Sequence, residues 1–283
     1  MDKIGVVGCG LMGSGIAEVA ARNGCEVKIV EVNEDALTAG MARIEKSLNR
    51  AVNAGKLDDA GRESALGAMS FGLDLDELAD REFVIEAVVE SEPAKLEVFG
   101  RLSKVLDDPA AVMASNTSAI PIMKLAMATD RPSQVIGMHF FNPVPVMGLV
   151  EVISSLLTAE ETAERCRAFA SERLGKRVVD SQDRAGFVVN ALLIPYILSA
   201  IRMLESGFAS TEDIDAGMVL GCNHPMGPLA LCDLIGLDTT LAVAESLYEE
   251  FREQLYAPPP MLSRMCDAGL LGRKTGRGFY TYG

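Results

Sequence analysis

Tryptophan is absent from this chain of 283 residues, histidine occurs twice and aromatic residues make up only 5%. A core of ordinary size must therefore rest on aliphatic side chains and on 14 methionines, within a hydrophobic fraction of 49%. Basic residues are in the minority, 26 against 40 acidic, which leaves a formal charge of −14. That balance argues against nucleic acid as a partner, because neutralising phosphates takes clustered lysine and arginine. An anionic ligand would need a local basic patch or helix N-termini to hold it against the global field. The six cysteines (9, 25, 166, 222, 232 and 266) form no C-x-x-C pair and no regular spacing. They read as reduced thiols in or near the core, with neither a disulfide framework nor a metal site. A membrane-spanning run is also missing. The uncharged stretch between Arg184 and Arg202 contains Asn190 and Pro195 and falls short of the roughly 20 apolar residues that cross a bilayer. It reads as a buried helix. The first strand begins by Lys3, which leaves no room for a leader segment, so a cytoplasmic protein without membrane attachment is the expectation.

The length favours two domains, and the patterning divides the chain in the same way. Lys3 to Gly8 is a short β-branched run ending in glycine, hence a buried strand. A helix follows from Met12 to Asn23, with Gly24 as its stop. Cys25 to Val32 is a second strand, and Asn33 caps a helix running towards Ala54. Further strands are expected at 83–89, 112–115, 135–140, 149–153 and 177–179, with helices at 92–106 and 159–174. Strands alternating with helices predict βαβ units and a parallel sheet covered on both faces. Beyond Ala185 the strand pattern stops and helices are expected at 186–206, 211–219, 227–251 and 259–267. The predicted architecture is therefore α/β: a doubly wound Rossmann domain over residues 1–184, then an all-helical domain over 185–283.

Gly8-Cys9-Gly10-Leu11-Met12-Gly13 fits the pattern G-x-G-x-x-G. Alone the pattern is weak, but here it follows a strand, opens a helix, and precedes a second strand with Glu31 at its end. Gly8 permits the tight turn, Gly10 lets backbone approach a pyrophosphate, and Gly13 allows close helix–strand packing. The helix N-terminus, starting at Leu11 and Met12, offers N–H groups and a positive dipole end to the phosphates. Glu31 can accept hydrogen bonds from the adenosine ribose and would repel a 2′-phosphate, which favours NAD over NADP. FAD uses the same fingerprint, but the remaining motifs do not resemble a flavoprotein.

His139 closes a sheet strand, and Ser115-Asn116-Thr117-Ser118 follows another. In open α/β sheets the ligand crevice lies outside the carboxyl ends of the strands. Oxidising a secondary alcohol needs a base for the hydroxyl proton, and an imidazole with a reference pKa of about 6.5 suits that exchange near neutral pH. Glu151 is a candidate to orient the ring. Ser118 and Asn190 are candidates to polarise the developing oxyanion. His224 reads as structural.

Several further motifs carry a resemblance: Ser-Asn-Thr-Ser (115–118), His-Phe-Phe-Asn-Pro-Val-Pro-Val-Met (139–147), Leu-Val-Glu-Val (149–152), Gly-Phe-Val-Val-Asn (186–190), His-Pro-Met-Gly-Pro-Leu (224–229) and Gly-Arg-Lys-Thr-Gly-Arg-Gly-Phe-Tyr (272–280). Together, in order and over essentially the whole chain, they resemble the 3-hydroxyacyl-CoA dehydrogenase family, most of all its bacterial short-chain members. The resemblance implies hydride transfer between NAD and a short-chain (S)-3-hydroxyacyl-CoA/3-oxoacyl-CoA pair, with 3-hydroxybutyryl-CoA and acetoacetyl-CoA fitting best. It implies His139 as general base, Glu151 as its orienting carboxylate, and Ser118 and Asn190 at the 3-oxygen or thioester. It also implies Glu31 on the adenosine ribose, Glu90 and Lys95 near the nicotinamide ribose, and Asn116 and Asn142 close by. Coenzyme A would meet Ser47, Arg50 and Lys56, a single lysine where relatives often carry several. The family usually has Asp where this chain has Glu31. A homodimer through the helical domain is expected from the apolar helices as well as from the resemblance, with an active site in the cleft between the domains.

Competing readings are a related Rossmann dehydrogenase of a free hydroxy or sugar acid, a structural relative of the kind found in lens, and a regulatory NAD-binding module. The retained polar residues argue against the structural role. A regulatory module would bind NADH without turnover.

Overall fold

The computed structural model describes residues 2–283, and two compact units divide the chain, Met1–Arg184 and Ala185–Gly283. The first unit runs β1 (Lys3–Val7), α1 (Leu11–Arg22), β2 (Glu26–Val30), α2 (Glu34–Asn53), α3 (Asp59–Gly67), β3 (Met69–Gly72), β4 (Phe83–Glu86), α4 (Glu92–Val105), β5 (Val112–Ser115), α5 (Ile122–Met127), β6 (Val135–Phe140), β7 (Leu149–Ser154), α6 (Glu160–Ala168) and β8 (Arg177–Gln182). Its strands form one 8-stranded sheet in the order β3-β2-β1-β4-β5-β6-β7-β8. The first six run parallel, and the order reverses between β1 and β4. This is the doubly wound pattern, whose ligand crevice lies at that reversal. β4, β5 and β6 are buried along their whole length, as strands covered on both faces must be. Asn33 caps α2 by accepting from Ala36 N–H at 2.9 Å, which fixes the helix that leaves the end of β2.

The sheet departs from the all-parallel expectation at one edge. β7 runs antiparallel to β6, with His139 directly opposite Glu151. The connection between them spans only residues 141–148, whereas a parallel crossover needs a dozen or more residues. β8 then lies parallel to β7, after a crossover through α6. Three further expectations are corrected. The strand expected at 83–89 ends at Glu86, so Ala87 to Ser91 form the loop above it. β3 and α3 were not anticipated; β3 is an edge strand of 4 residues with only Met69 and Gly72 buried, too short to show a period. The helices expected at 159–174 and 211–219 relax into wider π turns at Phe169–Arg173 and Gly217–Gly221.

The second unit comprises α7 (Val189–Glu205), α8 (Thr211–Ala216), α9 (Pro228–Ile235), α10 (Leu237–Phe251) and α11 (Pro260–Asp267). The single helix expected at 227–251 is two helices, broken at Gly236, whose φ of 105° no helix accommodates. Ile197, Leu198, Ile201, Leu229, Leu247 and Leu262 make its core. Two buried carboxylates tie it together. Asp215 accepts from Leu229 N–H and Ala230 N–H, and so caps α9, where Gly227 has no side chain to do so. Asp233 accepts from Phe279 N–H, Tyr280 N–H and the Tyr282 hydroxyl, anchoring the glycine-rich segment 272–282. Among the described residues no helix is long and apolar enough to cross a membrane.

Candidate active site

The loop after β1 has the geometry its glycines demand. Gly8 takes φ 91°, which a residue with a side chain rarely adopts, and its N–H donates to the Val30 carbonyl oxygen. A Cβ on Gly13 would sit 1.9 Å from the Gly8 carbonyl oxygen, so only glycine lets α1 approach the loop this closely. Around Gly10 nothing would meet an added Cβ within 4 Å; that side of the loop is open. The N-cap of α1 is Gly10, with no side chain satisfying the first-turn donors. Those donors point a positive dipole end into the opening. A cavity of about 500 Å³ opens against Gly8, Gly10 and Glu31 and is walled by Val32, Leu73 and Val89. Leu11 is exposed, Met12 half-buried. The Glu31 carboxylate is fixed at the rim: it accepts from Cys9 N–H at 2.5 Å and from Val32 N–H at 2.9 Å. Arg43, on α2, donates to the Cys9 carbonyl oxygen, so α2 and Glu31 clamp the same residue from opposite sides. An apolar slot ending in a carboxylate beside an open, uncapped helix N-terminus fits an adenosine dinucleotide.

Below the loops at the ends of β4 and β5 lies a polar network, buried at Glu86, Lys95, Ser115 and Thr117 and open to solvent at Glu90. Glu90 accepts from the Thr117 hydroxyl, from Ser118 N–H at 2.8 Å and from Ala119 N–H at 3.1 Å. Lys95 pairs with Glu90 at 3.3 Å and with Glu86 at 2.6 Å. Lys95 and Glu86 are 1% and 0% exposed. Glu86 also accepts from the Ser115 hydroxyl at 2.6 Å and from Val88 N–H at 2.7 Å. Asn116 is buried and its side-chain oxygen accepts from Phe140 N–H, tying β5 to the end of β6. Asn142 is exposed, two residues beyond β6.

At the end of β6 the His139 ring lies between two partners. Its Nδ1 is 2.7 Å from Glu151 Oε2, and its Nε2 is 3.2 Å from Ser118 Oγ. His139 is 5% exposed and Glu151 fully buried. The carboxylate fixes the tautomer: with Nδ1–H donated to Glu151, Nε2 carries the lone pair. The Phe141 ring packs against the imidazole at 4.6 Å between centroids. Behind this pair, Lys176 donates to the Val144 and Met147 carbonyl oxygens at 2.8 and 2.7 Å, and so pins the segment that joins β6 to β7.

The remaining sequence candidates fall on other elements. Ser47 and Arg50 fall one turn apart on α2, the first half-buried and the second exposed, and Lys56 is exposed just beyond it. Asn190 occupies the first turn of α7 in the second unit. His224 pairs with the Tyr196 hydroxyl at 3.2 Å. Of the cysteines, Cys222 is exposed, contrary to the core placement expected for all six. Burial pushes the Cys9 thiol up to about 11. Sequence reasoning passed over Glu86, Lys176 and Arg43. Glu86 sits inside the apolar run Phe83-Val84-Ile85-Glu86-Ala87-Val88-Val89, where an acid is costly unless paired, and that was its one visible signal.

These features define a class: a doubly wound dinucleotide-binding α/β protein with a carboxylate–imidazole–hydroxyl relay at the carboxyl ends of its strands. Residues 3–184 match the family model described as 3-hydroxyacyl-CoA dehydrogenase, NAD binding domain, and residues 186–282 match 3-hydroxyacyl-CoA dehydrogenase, C-terminal domain. The chain belongs to the 3-hydroxyacyl-CoA dehydrogenase family. It is 58% identical over 282 residues to a 3-hydroxybutyryl-CoA dehydrogenase of Mycobacterium tuberculosis, covering 100% of this chain and 99% of the relative. It is 42% identical over 289 residues to human mitochondrial hydroxyacyl-coenzyme A dehydrogenase, covering 100% and 91%. The crystal structure of (S)-3-hydroxybutyryl-CoA dehydrogenase from Ralstonia eutropha is similar with a TM-score of 0.94 at 45% identity, covering 99% of this chain and 98% of that one.

Proposed function

We propose that this chain is an NAD-dependent dehydrogenase interconverting (S)-3-hydroxybutyryl-CoA and acetoacetyl-CoA. The observation that carries the proposal is the relay Glu151–His139–Ser118, with the imidazole held on one side by a buried carboxylate and on the other by a hydroxyl. NAD, held by the glycine loop 8–13 and Glu31, would supply the hydride acceptor for C3 of the substrate, or the donor in reduction. His139 Nε2 takes the 3-hydroxyl proton in the oxidative direction, and Glu151 stabilises the imidazolium that results. Ser118 Oγ, beside the imidazole, is placed to stabilise negative charge developing on the 3-oxygen, and Asn190 is assigned to the 3-oxygen or thioester region.

On the cofactor side, Gly8, Gly10 and Gly13 admit the pyrophosphate to the N-terminus of α1, with Leu11 and Met12 presenting its first donors. Glu31 receives the adenosine ribose hydroxyls and disfavours a 2′-phosphate. Glu90, Asn116 and Asn142 serve the nicotinamide ribose, with Lys95 behind Glu90. Ser47, Arg50 and Lys56 supply the hydroxyl and charges for coenzyme A phosphates. The first unit is the dinucleotide domain; the second contributes to substrate binding and to a homodimer. The dimer is supported by Phe208 and Leu220, which are 78% and 84% exposed in the single chain, as large apolar side chains at an interface would be.

The test is oxidation of NADH and of NADPH with acetoacetyl-CoA, with longer 3-oxoacyl-CoAs and with free acetoacetate. Turnover with acetoacetyl-CoA and NADH, and little with NADPH or the free acid, is the expected result. Turnover confined to the free acid, or no turnover on any CoA thioester, overturns the proposal. Light scattering should give a mass twice that of the chain.

A further inference from the structure

The relay at His139 is one end of a longer chain of polar contacts. From Ser118 it continues through the Ser118 N–H to Glu90, from Glu90 to Lys95, and from Lys95 to Glu86. Glu86 is the far end. It is fully buried in the last residue of β4, and each of its oxygens is used. Oε1 accepts from Lys95 Nζ and Val88 N–H; Oε2 accepts from the Ser115 hydroxyl. Ser115 Oγ in turn accepts from Thr117 N–H at 3.2 Å. Glu86 therefore reaches the Ser118 loop by two routes, through Lys95 and Glu90 and through Ser115 and Thr117. A buried acid–base pair is a weak source of stability, because desolvation offsets its attraction. A fully satisfied network does fix geometry.

The geometry points to Glu86 as a positioning residue for the dehydrogenase reaction. Its carboxylate holds the Lys95 ammonium, so that Glu90 stays aimed at the backbone N–H groups of Ser118 and Ala119, and Ser118 Oγ stays within reach of His139 Nε2. Glu86 is fully buried and acts only through these neighbours. With Glu86 neutralised, Lys95 retains one carboxylate partner and draws Glu90 towards itself. The loop 117–119 then loses its register on the imidazole.

The inference rests on the proposed dehydrogenase activity, and the experiment keeps the two apart. Glu86→Gln keeps the shape, removes the charge and turns one of the two accepting oxygens into a donor. It should lower kcat about tenfold, the size of coupling usual between neighbours in one network. In a Ser118→Ala background the same change should alter kcat less than about twofold, since the group it positions is gone. A merely structural role would produce equal losses in both backgrounds. If Glu86→Gln fails to fold, Glu86→Gln with Lys95→Met removes both buried charges. It should recover the melting temperature without recovering kcat.

A readout independent of turnover is available because the chain has only two histidines. The ring-nitrogen NMR signals of His139 should move on Glu86→Gln, and move far less in the Ser118→Ala background, while those of His224 stay put. Equal effects in both backgrounds, or no effect on kcat and His139, overturn the inference. Loss of wild-type turnover on CoA thioesters overturns the activity alone and leaves the NMR comparison to decide on Glu86.

Discussion

Replacing Glu151 by Gln removes one negative charge from the relay and changes almost nothing else. Glu151 is fully buried and pairs with His139 across the sheet at 2.7 Å. Glutamine has the same length and can present an oxygen to Nδ1–H, so the ring and its tautomer stay in place. What is lost is the attraction between a carboxylate and the imidazolium formed when His139 takes the substrate proton. Two unit charges about 4 Å apart interact by roughly 4 kcal/mol at the effective dielectric suited to protein sites. The retained neutral hydrogen bond keeps about 1 kcal/mol of that, and relaxation around the site reduces it further. A net loss of about 2–3 kcal/mol corresponds to a fall in kcat of roughly 30- to 160-fold. KM for (S)-3-hydroxybutyryl-CoA should hardly change, because in the oxidative direction the ring gains its charge only when it takes the substrate proton. Steady-state reduction of NAD by (S)-3-hydroxybutyryl-CoA, with a thermal melt to confirm folding, measures both. A kcat within about threefold of wild type, with the variant folded, would refute the assignment of Glu151 as the group that stabilises the imidazolium.

Other outcomes follow from contacts described above. Gly13→Ala places a Cβ 1.9 Å from the Gly8 carbonyl, so loop and helix must separate; overpacking of this kind costs about 1–3 kcal/mol. NADH affinity, followed by fluorescence titration, should fall at least tenfold, and unchanged affinity would contradict the role of that contact. Lys176→Met strips the Val144 and Met147 carbonyls of their shared donor. Val144 is the buried one of the two, and at about 1–3 kcal/mol for a buried group left unsatisfied, denaturant unfolding of the first unit should show a loss of about 1–3 kcal/mol. The bond from Lys28 holds the Glu77 carboxyl below its ordinary value. A carboxyl depressed in the folded state stabilises the fold above the usual carboxylate range, and that contribution disappears as pH falls through the lowered value. Lys28→Met should therefore make the acid side of the stability curve less steep, as measured by melts from neutral pH downwards.

The parts of the molecule legible in the sequence are those whose determinants are local. The glycine fingerprint, the β-branched strands at Lys3–Val7 and Val135–Phe140, and the cap at Asn33 each announce themselves within a few residues. The family resemblance then placed His139 and Glu151 in one site. What stayed hidden depends on partners distant in sequence. The reversed direction of β7 has no signature of its own; only the shortness of the segment 141–148 betrays it. Nothing local explains Glu86 within its apolar strand, because its partner Lys95 stands in the first turn of α4, beyond a loop. Lys176 precedes a strand with no motif around it, although its side chain is buried against two carbonyls. Gly236 divides a stretch whose apolar spacing otherwise reads as one helix; its backbone angle, which no periodicity records, makes the break.

Because the imidazole and its carboxylate face each other as cross-strand neighbours, the acid–base couple is a property of how two strands line up. Side chains alternate between faces, so a shift of one residue in that alignment would send Glu151 to the opposite side of the sheet. Insertions in the connecting segment should be borne far more easily than a deletion within either strand. The chemistry is thereby lodged in paired, buried backbone, the kind that exchanges most slowly. Loss of the couple and loss of the fold should accordingly share one transition.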